Sequence, residues 1–183
     1  KANPELRGDF ETFMKSPTRA NYNVARLAGY PPGQPGVNLT EAEAATPEAL
    51  ALAEANLRKM RVVGLTEQFD VTMVLLRRAY GWRNVYYVRQ NTTAKRKKSK
   101  QETVSPELRQ ELTRLYAHDL ALYETARSLF EEQCSAYGDT LEADLALYRR
   151  NNATYGRLFE ATQRLRGSSV YRLVRRLTGG ILR

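Results

Sequence analysis

Cysteine and histidine are nearly missing from this chain: Cys134 and His118 stand alone in 183 residues. A lone cysteine excludes an intrachain disulfide, and one cysteine with one histidine excludes a metal site assembled from those two residue types, so no metal is expected. The fold must rest on an apolar core. No run of sequence approaches the roughly eighteen apolar residues of a membrane span, and no signal-peptide pattern opens the chain. No serine sits in a nucleophile elbow, which argues against covalent hydrolysis. The glycines of Tyr30-Pro31-Pro32-Gly33-Gln34-Pro35-Gly36 lack the spacing of a dinucleotide fingerprint, and no Lys-Ser or Lys-Thr pair follows them, so this segment reads as a loop and not as a phosphate cradle. His118, between Ala117 and Asp119 in helical sequence, reads as an ordinary surface or partly buried residue. There is no internal repeat.

What is present is a globular composition with a strong positive balance. Hydrophobic residues make up 42% and charged residues 27%, which excludes wholesale disorder. The formal charge of +9 predicts attraction to a polyanion, whether nucleic acid, anionic lipid, sulfated glycan or nucleotide phosphate, without choosing among them.

Periodicity and punctuation predict mostly helices. Leu6, Phe10, Phe13 and Met14 lie at helical spacing before Pro17, and a second short helix fits residues 18–27, ended by Gly29. Thr46 followed by Pro47 is an N-cap with a first-turn proline, and Leu50, Ala53, Leu57 and Met60 continue on one face. Val62 to Leu65 is a short apolar run that reads as a strand. It passes through Thr66, an N-cap candidate, and Glu67 into a helix carrying Phe69, Met73, Leu76 and Tyr80. Gly81 closes that helix, and Val85-Tyr86-Tyr87-Val88 reads as a second strand because β-branched and aromatic residues dominate it. Ser105-Pro106-Glu107 opens a long helix with Leu108, Leu112, Leu115, Leu122, Leu129 and Phe130 on its buried stripe. Gly138-Asp139-Thr140 interrupts the pattern, and the Arg-rich remainder divides near Gly167-Ser168-Ser169.

The segment Val88-Arg89-Gln90-Asn91-Thr92-Thr93-Ala94-Lys95-Arg96-Lys97-Lys98 concentrates hydroxyls and cations directly after the second predicted strand. Hydroxyls, backbone amides and guanidinium or ammonium groups together hold a phosphate dianion, and charge-assisted bonds are about twice as strong as neutral ones. In open α/β sheets ligands gather outside the carboxyl ends of strands, where this loop would lie. The competing reading is a solvated basic loop. Arg26, with Asn21 and Asn23, falls on a short polar helix and is a candidate anion contact, a surface salt bridge being its plain alternative. Asn38-Leu39-Thr40, Asn91-Thr92-Thr93 and Asn152-Ala153-Thr154 fit the glycosylation acceptor pattern and are read as chance matches.

Four segments, in order, resemble the carboxyl-terminal half of carbohydrate sulfotransferases of the heparan sulfate 2-O-sulfotransferase type. They are Asn21 to Gly29; Val63-Gly64-Leu65-Thr66-Glu67-Gln68-Phe69-Asp70 with Leu75-Leu76; Arg89 to Lys98; and Asp119-Leu120-Ala121-Leu122-Tyr123 with Leu129-Phe130. The resemblance spans about residues 10–133. It implies a P-loop-like α/β nucleotide-binding fold, mostly helical in this part, that uses 3′-phosphoadenosine 5′-phosphosulfate as co-substrate and transfers its sulfuryl group to a hydroxyl, usually of a carbohydrate. By that resemblance Arg89, Thr92, Thr93 and Lys95 contact the nucleotide, although Gln90 and Asn91 make the loop one residue longer than the family's Arg-x-Thr-Thr-x-Lys-Lys pattern; Arg26, read from its own segment, is the candidate substrate contact. The family's first strand, its 5′-phosphosulfate loop, its Arg and Ser for the 3′-phosphate and its catalytic base are not recognisable, so the expectation is a fragment inactive by itself.

The resulting division is residues 1–137 as the sulfotransferase part and 138–183 as a basic helical extension. In the extension, Arg164, Arg166, Arg172, Arg175 and Arg176 alternate with Leu165, Val170, Leu173, Val174 and Leu177, a pattern that fits peripheral contact with anionic lipid or a helix packed on its own domain. The rival reading of the whole chain is a non-enzymatic module that binds polyanions or nucleic acid without reading sequence, and a third is a helical interaction domain lacking both strands.

Overall fold

A computed structural model describes residues 10–16, 19–29, 46–89 and 104–167. The described elements are the helices α1 (Phe10–Met14), α2 (Tyr22–Leu27), α3 (Pro47–Arg58), α4 (Phe69–Tyr80), α5 (Pro106–Leu115), α6 (Ala117–Tyr137) and α7 (Leu141–Gly167), with a 3₁₀ turn at Thr66–Gln68 before α4. They fall into two compact units, residues 1–68 with 98–136 and residues 69–97 with 137–183.

The first unit is built on small residues. Ala25, Ala28, Ala49 and Ala53 are buried, and these short side chains let α2 and α3 pack closely. Val24, Leu57, Val63 and Leu122 form one cluster with Ala28, Ala49 and Ala53, and Leu27, Leu50, Ala126 and Leu129 pack around it. Thr46 caps α3 as its sequence predicts: Oγ1 accepts from the Ala49 N–H at 3.1 Å, and Pro47 occupies the first turn where no donor is needed. Ser105 caps α5 in the same way through the Leu108 N–H, also at 3.1 Å.

In the second unit α4 packs on α7, burying Val71, Val74 and Leu75 from one and Leu145 and Tyr148 from the other, with Val85. Gly81 ends α4 at φ +66° and Gly138 precedes α7 at φ +82°, the left-handed region where a side chain costs about 1 kcal/mol or more.

Two sequence expectations are corrected here. Neither Val62 to Leu65 nor Val85 to Val88 is a strand, and there is no strand among the described residues. Apolar, β-branched composition reports burial, and Val63, Leu65 and Val85 are buried. Strand pairing also requires a second backbone alongside, and helix side chains take that place. The Val63 N–H donates to Gln133 Oε1 at 3.1 Å, the Tyr87 N–H donates to Asn152 Oδ1 at 2.8 Å, and the Val85 carbonyl accepts from the Tyr148 hydroxyl at 3.0 Å. Side-chain amides and a phenol therefore satisfy backbone groups that would otherwise be buried without partners.

The single long helix expected from Ser105 onward is also broken, at Tyr116. In an unbroken helix the Asp119 N–H would bond the Leu115 carbonyl. Instead the Asn21 carboxamide spans the break: Nδ2 donates to the Leu115 carbonyl at 3.2 Å and Oδ1 accepts from the Asp119 N–H at 3.1 Å. Tyr116 itself reaches away, its hydroxyl donating to the Met14 carbonyl at 2.8 Å.

Candidate anion-binding site

Asn21 sets the geometry around Arg26. Its backbone is left-handed, φ 54° and ψ 30°, a conformation asparagine tolerates better than most residues, and its side chain is buried. It therefore does not lie on an exposed polar helix with Arg26, as its sequence neighbours imply. Nor does it cap α2 with its own side chain. The cap comes from Asp119, whose carboxylate accepts from the Val24 N–H at 2.9 Å and from the Asn23 N–H and Nδ2 at 3.4 and 3.2 Å. A carboxylate at this end of α2 meets its unpaired amides and the positive end of its dipole.

Arg26 projects from the exposed side of α2. Its Nε donates to the Tyr22 hydroxyl at 2.9 Å, and its guanidinium carbon lies 5.1 Å from the Tyr22 ring centre. Its described partner is thus a phenol and not a carboxylate. The positive charge stays uncompensated by this contact, and the remaining guanidinium donors can meet an anion.

Arg89 ends the described segment that leads into the predicted phosphate loop. It hydrogen-bonds the Tyr87 side chain, which holds its pKa above the usual arginine range. The Tyr87 hydroxyl in turn donates to Asp70 Oδ1 at 2.8 Å, while Arg149 Nε donates to Asp70 Oδ2 at 3.2 Å. Phe69 fixes the Tyr87 ring edge-on with centroids 4.8 Å apart. Burial, then the bond to Asp70, pushes the Tyr87 phenol upward, so it remains a neutral donor that orients its neighbours. One carboxylate thus organises two arginines, a net positive cluster at the root of the basic loop. Thr92, Thr93 and Lys95 lie outside the described residues. Arg26 and Arg89 belong to different units, each with its own neighbours.

Several contacts escaped the sequence reading. Glu67, read only as a first-turn helix acid, accepts a hydrogen bond from the Tyr123 hydroxyl. That bond lowers the Glu67 pKa and raises that of Tyr123. Burial, followed by Glu131, pushes the Cys134 thiol up, leaving it a poor nucleophile. Every group whose ionisation the fold shifts among the described residues moves away from neutrality: carboxylates Glu67 and Glu107 down; Lys15, Arg89, Cys134 and five tyrosines up. None of these is tuned as a general base for neutral pH. Three or more His, Cys, Asp or Glu side chains grouped to hold a metal do not occur among the described residues.

The arrangement can bind and orient an anion through arginine. Comparison with protein-family models, with curated proteins and with solved structures gave no match.

Proposed function

We propose that the chain is the carboxyl-terminal part of a carbohydrate sulfotransferase domain of the heparan sulfate 2-O-sulfotransferase type, with a P-loop-like fold in the whole domain. In this reading it binds 3′-phosphoadenosine 5′-phosphosulfate through Arg89, Thr92, Thr93 and Lys95, and the acceptor hydroxyl compound, a carbohydrate, through Arg26. The observation that carries the reading is that the resembling segments hold one another. Within the first unit, Asn21 and Asp119 exchange hydrogen bonds, Val24, Val63 and Leu122 share one core, and Glu67 meets Tyr123. Within the second, Asp70 from the second segment positions Tyr87 and, through it, Arg89. Segments far apart in sequence thus form mutual contacts, as parts of one inherited site would.

Sulfuryl transfer needs charge stabilisation on the leaving phosphate and a base on the acceptor. Arginine and the basic loop serve the first; no described group with a shifted pKa serves the second, and the proposal is that the chain alone binds without turning over.

The test is binding of 3′-phosphoadenosine 5′-phosphate to the 183-residue chain, read from backbone amide resonances of residues 89–95. A response that saturates with this nucleotide well below the concentration needed for inorganic phosphate or adenosine monophosphate supports the reading. An equal response to all three, falling steeply with salt, overturns it in favour of a general polyanion binder. The lack of strands at Val62 to Leu65 and Val85 to Val88, where an α/β nucleotide fold would carry them, favours a different reading, the helical interaction domain.

A further inference from the structure

Residues 138–183 read in sequence as an extension beyond the nucleotide-binding part, yet α7 supplies three polar contacts to the elements that carry Arg89. The Tyr148 hydroxyl donates to the Val85 carbonyl at 3.0 Å, and Asn152 Oδ1 accepts from the Tyr87 N–H at 2.8 Å. Both satisfy backbone. Arg149, between them in sequence, does something else: its Nε donates to Asp70 Oδ2 on α4 at 3.2 Å. With 58% of the Arg149 side chain and 23% of the Asp70 side chain exposed, this ion pair adds little to stability. Its effect is on charge.

Each oxygen of Asp70 already has a donor, the Tyr87 hydroxyl on Oδ1 at 2.8 Å and Arg149 on Oδ2. Arg89 lies close enough to feel the charge of this carboxylate, but its hydrogen bond goes to the neutral Tyr87 side chain. That choice needs a reason, because a guanidinium bonds a carboxylate about twice as strongly as it bonds a phenol and favours a two-pronged grip on it. Arg149 supplies the reason. It occupies Asp70 and cancels its charge, so the three groups keep one net positive charge, carried by Arg89.

We infer that Arg149 is a positioning residue of the anion site: by engaging Asp70 it prevents that carboxylate from capturing Arg89, and so keeps the Arg89 guanidinium available to a phosphate group. The helix that sequence places outside the nucleotide-binding part thereby becomes a working component of it. Without Arg149, Asp70 would compete with the ligand for Arg89, and a bound phosphate would meet an uncancelled carboxylate as well. The inference rests on the reading of Arg89 as a phosphate contact, made under the proposed function, but not on the identity of the nucleotide or on sulfuryl transfer.

The test titrates the full chain at constant salt with inorganic phosphate and, separately, with 3′-phosphoadenosine 5′-phosphate, reading the guanidinium resonances of Arg89. Arg149→Gln should weaken both ligands about threefold to fivefold, the scale of one exposed ion pair won by Asp70. Arg150→Gln removes the same charge from the next position, also exposed, and should leave affinity within about 1.5-fold of the original. The double variant Asp70→Asn with Arg149→Gln removes the competitor while keeping an acceptor for the Tyr87 hydroxyl, and should restore binding. Without any ligand, the Arg89 resonances should move in Arg149→Gln and return in the double variant. Circular dichroism verifies that each variant folds. Unchanged affinity in Arg149→Gln overturns the inference, as does an equal loss in Arg150→Gln, which would report general charge. A loss that Asp70→Asn does not restore also overturns it, since Arg149 would then touch the anion itself or serve only the fold. If wild type binds the nucleotide no better than phosphate, the sulfotransferase reading fails, while the phosphate series and the ligand-free resonances still decide the role of Arg149.

Discussion

Asn21 and Asp119 hold each other reciprocally: the Asn21 side chain receives the Asp119 backbone N–H at 3.1 Å, and the Asp119 carboxylate receives the N–H of Val24, three residues after Asn21, at 2.9 Å. Each residue supplies the hydrogen-bond partner that a helix end leaves missing at the other. The pair joins α2 to the α5–α6 break, and the break is stable because of it.

Asn21→Ala should therefore cost about 3 kcal/mol, since it strands both the Leu115 carbonyl and the Asp119 N–H. Asn21→Gly loses the same carboxamide but relaxes the left-handed backbone, so it should be less harmful by about 1 kcal/mol. Urea denaturation followed by circular dichroism compares the two. Combined with Asp119→Ala, the Asn21→Ala loss should be non-additive by about 1 kcal/mol or more, because the pair shares one network.

The amides that replace strand partners should prove costly to remove. Gln133→Met and Asn152→Leu keep side-chain bulk but orphan the Val63 and Tyr87 N–H groups, and each should destabilise by about 1–3 kcal/mol. Faster hydrogen exchange at the Val63 amide in the first variant, and at the Tyr87 amide in the second, would locate the effect; unchanged exchange would refute it.

Alkali should unfold the chain through its buried phenols. Burial pushes Tyr148 well above the ordinary tyrosine value, and Tyr87, Tyr116 and Tyr137 are also raised, burial being the largest cause in each. A raised pKa in the folded state means that the unfolded chain loses its protons first. Stability is thus full below about pH 10 and falls as pH rises from there toward the folded values. Tyr148→Phe should start about 1–2 kcal/mol less stable at neutral pH, because the Val85 carbonyl loses its partner, and then decline less steeply with pH. Unfolding midpoints across an alkaline series measure both slopes.

Arg89→Ala should weaken binding of 3′-phosphoadenosine 5′-phosphate about tenfold, the scale of one charge-assisted hydrogen bond. Tyr87→Phe should produce a smaller loss, because it frees Arg89 from its anchor without removing charge. Arg26→Ala should leave nucleotide affinity unchanged, since the proposal places it at the acceptor. Calorimetric titration distinguishes the three.

The amino-acid sequence by itself determined several helix ends, though not the break at Tyr116. Thr46-Pro47, Ser105-Pro106, Gly81 and Gly138 act through bonds and steric limits that span only a few residues, and the folded chain honours each of them. The basic character around Arg89 and the positive balance of the chain were equally readable, since charge requires no partner to be counted. Tertiary structure alone decided whether Val62 to Leu65 and Val85 to Val88 pair as strands, because periodicity records burial but not which group satisfies a backbone amide. It likewise moved Asn21 from an apparent surface position into the gap between Leu115 and Asp119, and turned Glu67 and Asp70 toward Tyr123 and Tyr87. These partners lie between 17 and 98 residues apart along the chain. Local propensity carries no signal over such separations; only the packing that brings the helices together determines which hydrogen bonds can form.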